Sequence, residues 1–267
     1  MTRCFQLFQR AIAQSGTALS PWAFQPDPRT QAEGYARRLG ITWTSTQNMV
    51  DQLRNVPMQA AIDAQGGWLD LEVPRGFTSM EFVPCVEPVG APEYRFLTAD
   101  PVTLMRSGNF LQMPAMMGFV DVSFKVFSFI RNLIKKLYFR KVESLFMIRE
   151  VLIDDTVMDQ FIANPHYYSP KSFNVAPHSP EANEVAQTFR NIYFNGQQPS
   201  QAIRFNWTQF NTDSHFAFSV DRTVRYHAAR QTQPIYYYKF SMDGSLNLIK
   251  RLLLLSDYDG AVHADVS

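Results

Sequence analysis

Of the five histidines in these 267 residues, His263 has the most suggestive setting, the glycine-led loop Gly260-Ala261-Val262-His263-Ala264-Asp265. An imidazole titrates close to neutral pH and can take and return a proton, so a histidine on an open loop is a candidate general base. A base needs a nucleophile to act on. No Gly-x-Ser-x-Gly turn, the sharp strand-to-helix bend that presents a reactive serine, occurs anywhere in the chain. On residue type alone, His263 therefore reads as an exposed or structural loop residue. His166 and His178 lie in a proline-rich stretch, and His215 and His227 on a helical pattern; all four read as structural or surface residues. Cys4 and Cys85 form no spaced pattern and fit neither a disulfide framework nor a zinc site, so both read as reduced thiols. No cofactor- or metal-binding pattern stands out, and none is expected.

The elements that would position such residues are permitted by the composition. At 46% hydrophobic and 18% charged, the chain can bury a core as one domain or part of a larger one. Its net charge of +1 gives no electrostatic reason to expect nucleic acid as a partner. The start, Met1-Thr2-Arg3-Cys4-Phe5, has no apolar run long enough for a signal-peptide core, and the longest apolar run, Leu252–Leu255, is far too short to cross a bilayer.

Short apolar runs alternate with longer helical patterns, the signature of a parallel sheet covered by helices. Three runs read as strands. Arg10-Ala11-Ile12-Ala13-Gln14 ends at Ser15-Gly16, Met113-Pro114-Ala115-Met116-Met117 ends at Gly118, and Pro234-Ile235-Tyr236-Tyr237-Tyr238-Lys239-Phe240 ends near Asp243-Gly244. Their apolar or aromatic character predicts burial on both faces. One helix is predicted from Ser179 as N-cap, with Pro180 at its first position and Glu181 in its first turn, to a stop at Asn195-Gly196. A second is capped by Asp213 and buries Phe216, Val220 and Val224 on one face; a third, Thr30 to Leu39, is closed by Gly40.

From Phe127 to Lys141 the pattern is amphipathic, with Phe127, Ile130, Ile134 and Leu137 on one face and basic residues largely elsewhere. Such a helix can lie on an anionic membrane. A buried stripe with a solvated outer face accounts for it as well, so membrane contact is not expected. The stretch from Pro165 to Pro180 reads as a loop threaded with aromatics. Three strands alone leave sheet edges and faces without neighbours, so further layers are expected to flank them.

Taken in order, these residues resemble the type-B carboxylesterases, including the insect esterase and cholinesterase-like branch of the α/β-hydrolases. Phe8 to Gly16 with Ala18-Leu19-Ser20-Pro21-Trp22-Ala23 looks like the strand and turn that follow the family's nucleophile elbow. Phe82-Val83-Pro84, Glu87-Pro88 and Pro114 to Phe119 look like the approach to the strand before its catalytic acid. Pro234 to Phe240, Asp243-Gly244, Leu246-Asn247-Leu248 and Gly260 to Asp265 look like its last catalytic strand and histidine loop. The resemblance implies a partial α/β-hydrolase fold over residues 1–267, holding the later parallel strands and their covering helices.

In that family a serine attacks the ester, a histidine takes its proton and an acid orients the imidazolium, in the chain order serine, acid, histidine. The resemblance places His263 at the base position. It also implies that the nucleophile, the oxyanion hole and a C-terminal segment belong to sequence not included here, so the chain as written is not expected to hydrolyse esters. A small carboxylic ester is the substrate class implied for the intact protein.

Two departures accompany the resemblance. The usual acid position, about five residues after Gly118, holds Ser123, which cannot stabilise an imidazolium by charge; Asp121 is the nearest substitute and otherwise reads as a turn residue or N-cap. Many members close a loop by a disulfide where this chain has Ile41 and Gln52. Loss of both halves together points to a reduced setting and favours a cytoplasmic location. The sequon Asn206-Trp207-Thr208 then reads as a chance occurrence. Two functions stay open: part of a serine-type carboxylic ester hydrolase, or a non-catalytic cholinesterase-like binding or adhesion protein that tolerates Ser123 at the acid position.

Overall fold

The computed structural model describes residues 7–65, 82–90, 95–120, 175–176, 178–198, 206, 209–210, 212–242 and 244. Within them lie a parallel sheet and the helices that reach it. The strands are β1 (Ala11–Gln14), β2 (Ala115–Val120) and β3 (Ile235–Phe240), hydrogen-bonded in the order β1-β2-β3. Both pairings are parallel, and Ala11, Ala115 and Ile235 share a row at one end while Gln14, Gly118 and Tyr238 share a row further on.

All three expected strands form, with one shift in extent. The sequence places a stop at Gly118, yet β2 runs through it to Val120. Gly118 is a packing residue: a Cβ there would collide with the Tyr238 carbonyl oxygen and ring on the neighbouring strand. The glycine lets an aromatic lie against the central strand.

The faces of the sheet differ. On one, Ala115, Met117 and Phe119 of β2 join Val220 in a buried cluster, with Ala13, Phe216, Ala217, Val224 and Ile235 packed against it. On the other, the row Ile12, Met116, Tyr236 is 69%, 41% and 56% exposed. Burial on both faces, expected from the apolar strands, is thus met on one face along this row, because the described helical cover lies over the other.

That cover is α6 (Phe218–Arg230), preceded by a π-helical turn at Asp213–Ala217. Val220 is fully buried, and Phe216 and Val224 flank it against the sheet, so the expected apolar face is the one used. Asp213, however, makes no capping hydrogen bond. Its carboxylate accepts from the Tyr193 hydroxyl at 2.9 Å and from Gln209 Nε2 at 3.1 Å. Helical backbone already precedes it at Thr212, so no N–H group there needs a cap.

The remaining helices follow local signals. In α5 (Pro180–Phe194), Ser179 Oγ accepts from the Ala182 N–H at 3.1 Å and Asn195 closes the helix in the left-handed conformation, as the sequence predicts. α1 (Pro28–Arg38) starts ahead of the expected Thr30, because Asp27 caps it by accepting from the Thr30 N–H and Pro28 occupies its first turn. α2 (Thr46–Arg54), α3 (Met58–Asp63) and α4 (Pro101–Ser107) are short. α4 carries the same start signal as α5, Asp100 before Pro101, and ends at Gly108 with a positive φ. None of the described helices is long and apolar enough to cross a membrane.

Candidate functional site

Because β1, β2 and β3 are parallel, their C-terminal ends lie along one edge of the sheet, where ligands bind in open α/β folds. The strands that precede the segments connected with chemistry by sequence analysis end along this edge. β1 ends at Gln14 before the Ser15-Gly16 turn, β2 ends at Val120, the residue before Asp121, and β3 ends at Phe240, upstream of the Gly260–Asp265 loop. His263, Asp121 and Ser123 themselves lie outside the described residues, as do His166, Cys4 and the amphipathic segment from Phe127 to Lys141.

At the β1 corner of the edge, a chain of hydroxyls ties the turn to α6. The Thr17 N–H donates to Ser20 Oγ at 3.0 Å, and Ser20 Oγ lies 3.2 Å from Ser219 Oγ. Ser219 directs its proton to the Phe216 carbonyl at 2.9 Å, so Ser20 must be the donor of the pair. Thr223 Oγ1 completes the tie at 2.9 Å from Thr17 Oγ1 and 2.8 Å from the Ser219 carbonyl. Ser20, Ser219 and Thr223 are buried, so each bond also prevents an unpaired polar group in the interior.

Above this tie an aromatic wall forms. The Trp22 ring stacks on His215, centroids 6.3 Å apart and 11° from parallel, and meets Phe216 edge-on at 5.1 Å. His215 is buried, with Nδ1 3.0 Å from Ser214 Oγ. The expected structural role for this histidine fits its packing; Trp22 contributes an apolar surface and no acid–base group. Sequence periodicity does not reveal the wall, because Trp22 follows a turn and meets His215 only through the fold. π-helical turns recur at functional sites because the extra residue re-aims side chains, and here the turn carries both His215 and Phe216 towards Trp22.

The turn is held from behind by Tyr193. Burial first, then the charge and hydrogen bond of Asp213, push the Tyr193 phenol far above its ordinary pKa, so it stays a donor to that carboxylate. Phe210 meets the Tyr193 ring edge-on at 5.4 Å, and Phe189 stacks on it at 6.1 Å. Asn206 Nδ2, the atom a glycan would occupy, donates to the Tyr193 carbonyl at 2.6 Å.

The other described histidines are His178 and His227. His178 is exposed with a positive φ. His227 is half-buried near the end of α6 beneath Phe110, 4.2 Å between centroids. Among the described residues no group of His, Cys, Asp and Glu could hold a metal ion. Cys85 is a free, half-buried thiol. Where the resemblance implies a disulfide, Gln52 Nε2 instead donates to the Thr42 carbonyl at 2.8 Å and to Asn48 Oδ1 at 2.9 Å, closing the loop without sulfur.

Comparison with known proteins gives this edge its context. The family model described as the carboxylesterase family matches residues 1–266. A carboxylic ester hydrolase of Bombus ignitus is 33% identical over 115 residues, covering 43% of this chain and 19% of that protein. The juvenile hormone esterase of Heliothis virescens is 23% identical over 263 residues, covering 97% of this chain and 41% of that protein. The crystal structure of juvenile hormone esterase from Manduca sexta superposes with a TM-score of 0.73 at 22% identity, over 97% of this chain and 43% of that one. The chain thus spans less than half the length of these relatives, and its sheet and helices are part of an α/β-hydrolase fold. With its strands, edge and covering helix in that arrangement and its sequence matched almost end to end, the chain belongs to the carboxylesterase family.

Proposed function

We propose that residues 1–267 supply the histidine and the acid loop of a serine-type carboxylic ester hydrolase whose nucleophile lies outside these residues. The observation that carries this reading is the parallel sheet, in which β2 and β3, the strands that precede Asp121 and His263 in sequence, end along one edge. In this reading His263 takes the proton of the serine as it attacks the ester carbonyl, then returns it to the departing alcohol. Asp121 replaces the acid for which Ser123 is unsuited, accepting the imidazole N–H and stabilising its positive charge. The substrate class is a small carboxylic ester. Loss of the family cysteines, with Gln52 bridging the loop by hydrogen bonds, supports a reducing, cytoplasmic setting.

Purified residues 1–267 are expected to turn over a nitrophenyl ester no faster than a His263→Ala control, while the native protein in its source tissue labels with a fluorophosphonate at a mass well above 30.7 kDa. Turnover by the 267 residues that His263→Ala abolishes would defeat the proposal. Ser123 favours a second reading, a family member that binds partners without catalysis. A native protein that keeps the serine turn yet refuses the label would decide for that reading.

A further inference from the structure

Where α4 packs against α6, two arginines meet one phenol. The Arg106 Nε–H, from the last turn of α4, donates to Tyr226 Oη at 3.3 Å, and the Arg222 Nε–H, one turn earlier on α6, donates to the same oxygen at 3.2 Å. The guanidinium carbons stand 5.9 and 5.5 Å from the centre of the Tyr226 ring, and Arg222 also lies 5.9 Å from that of Phe218. The neighbouring carboxylate, Asp221, is engaged by Arg225 at 2.6 Å. Among the described residues neither Arg106 nor Arg222 has an acidic partner. Two like charges therefore converge on a neutral oxygen, with Arg106 open to solvent.

We propose that Arg106, Arg222 and Tyr226 form a binding site for a tetrahedral oxyanion of the phosphate or sulfate class. Among the described residues each guanidinium places only its Nε–H on the phenol and keeps its Nη donors for a ligand. A carboxylate has two oxygens and is satisfied by one arginine fork. Two forks arriving from different helices, with a phenol O–H between them, match an ion with four oxygens. Burial works to raise the phenol's pKa, but the hydrogen bonds and charges of Arg222 and Arg106 together hold it below the ordinary tyrosine value, which makes the O–H a better donor. The cation–π contacts keep both guanidiniums stacked in place before an anion arrives.

The anion can come free or as a phosphomonoester, and one titration separates these. The arginine Nε–H resonances of the complete native protein that contains residues 1–267 are followed by NMR with inorganic phosphate, glycerol phosphate, or sodium chloride at matched ionic strength. The signals of Arg106 and Arg222 should shift together and saturate with a phosphate but not with chloride. Arg106→Gln and Arg222→Lys should each weaken binding about tenfold or more, as expected for loss of a charge-assisted hydrogen bond. Arg54→Gln, an exposed arginine on α2, should leave it unchanged. Equal or tighter response to glycerol phosphate identifies an ester ligand, and response to inorganic phosphate alone identifies the free ion. Shifts that follow ionic strength whatever the salt overturn the site, as does unaltered affinity in Arg222→Lys, a variant that keeps the charge and removes only the fork.

Discussion

Gly118 and Tyr238 show how one contact can govern two residue identities. Gly118→Ala forces a methyl into the Tyr238 backbone and ring, and should cost about 1–3 kcal/mol, read as a lower denaturant midpoint. Tyr238→Phe should be neutral or stabilising in the same measurement, because among the described residues the buried Tyr238 hydroxyl has no hydrogen-bond partner to lose. His227 is constrained differently. Gln231 Nε2 donates to the Met113 and Gln233 carbonyls at 3.3 and 3.0 Å, which leaves Gln231 Oε1 to accept from His227 Nδ1 at 3.1 Å. When the imidazole is neutral, its proton is therefore on Nδ1. Burial lowers its pKa from 6.5, only partly opposed by the Gln231 hydrogen bond. The unfolded chain then takes up a proton before the folded one, so His227's contribution is complete above about pH 6.5 and falls as the solution is acidified below that value. Unfolding midpoints followed from pH 7.5 to 5 should show this decline, and His227→Gln should flatten it. On the proposed ester hydrolysis, Asp121→Asn in the complete protein should lower kcat by about 10²–10⁴-fold, whereas Ser123→Ala should leave it near wild type. The reverse pattern would remove Asp121 from the acid role.

At the scale of elements, what could be read in advance depended on whether the partners were near in sequence. Ser179, Pro180 and Asn195 announce α5 because a cap bonds a backbone group three residues away. Ser179→Ala should cost about 1 kcal/mol in thermal or denaturant unfolding. Asp100-Pro101 with Gly108 announces α4 by the same rule, although at seven residues the helix is too short for hydrophobic periodicity to show it. Asp213 reads as a cap for an equally local reason, yet its partner is Tyr193, twenty residues back, and the packing of α5 decides its role. Asp213→Ala should cost about 1–3 kcal/mol by leaving the half-buried Tyr193 hydroxyl unpaired, and should loosen the π-helical turn that carries His215 against Trp22. Loss of the Trp22–His215 stacking would register in the fluorescence of that tryptophan.

At the scale of the molecule, the two faces of the sheet set its behaviour in solution. One face is packed under α6, and the other shows Ile12, Met116 and Tyr236 in a single row. A contiguous apolar row on a sheet invites association. The 267-residue chain should express largely insoluble, and Ile12→Thr with Met116→Thr should raise the soluble fraction while keeping β-branched side chains in the strands. No change in solubility would mean that this face is already covered in solution.

The chain by itself determined that these three segments would be strands, where α5 starts and stops, which face of α6 is apolar, and, through the order of its motifs, the family. These depend on residues a few positions apart, or on motif order along the sequence, and both survive in a linear string. Only the tertiary structure decided that the expected parallel sheet takes the order β1-β2-β3, and in which register its strands pair. It alone brought Trp22 to His215 and set Arg106 and Arg222 on one phenol. The physical reason is distance along the chain. Ala11 pairs with Ala115 and Ala115 with Ile235, so the selection is made by the collective burial of side chains more than a hundred positions apart, and no local preference encodes it.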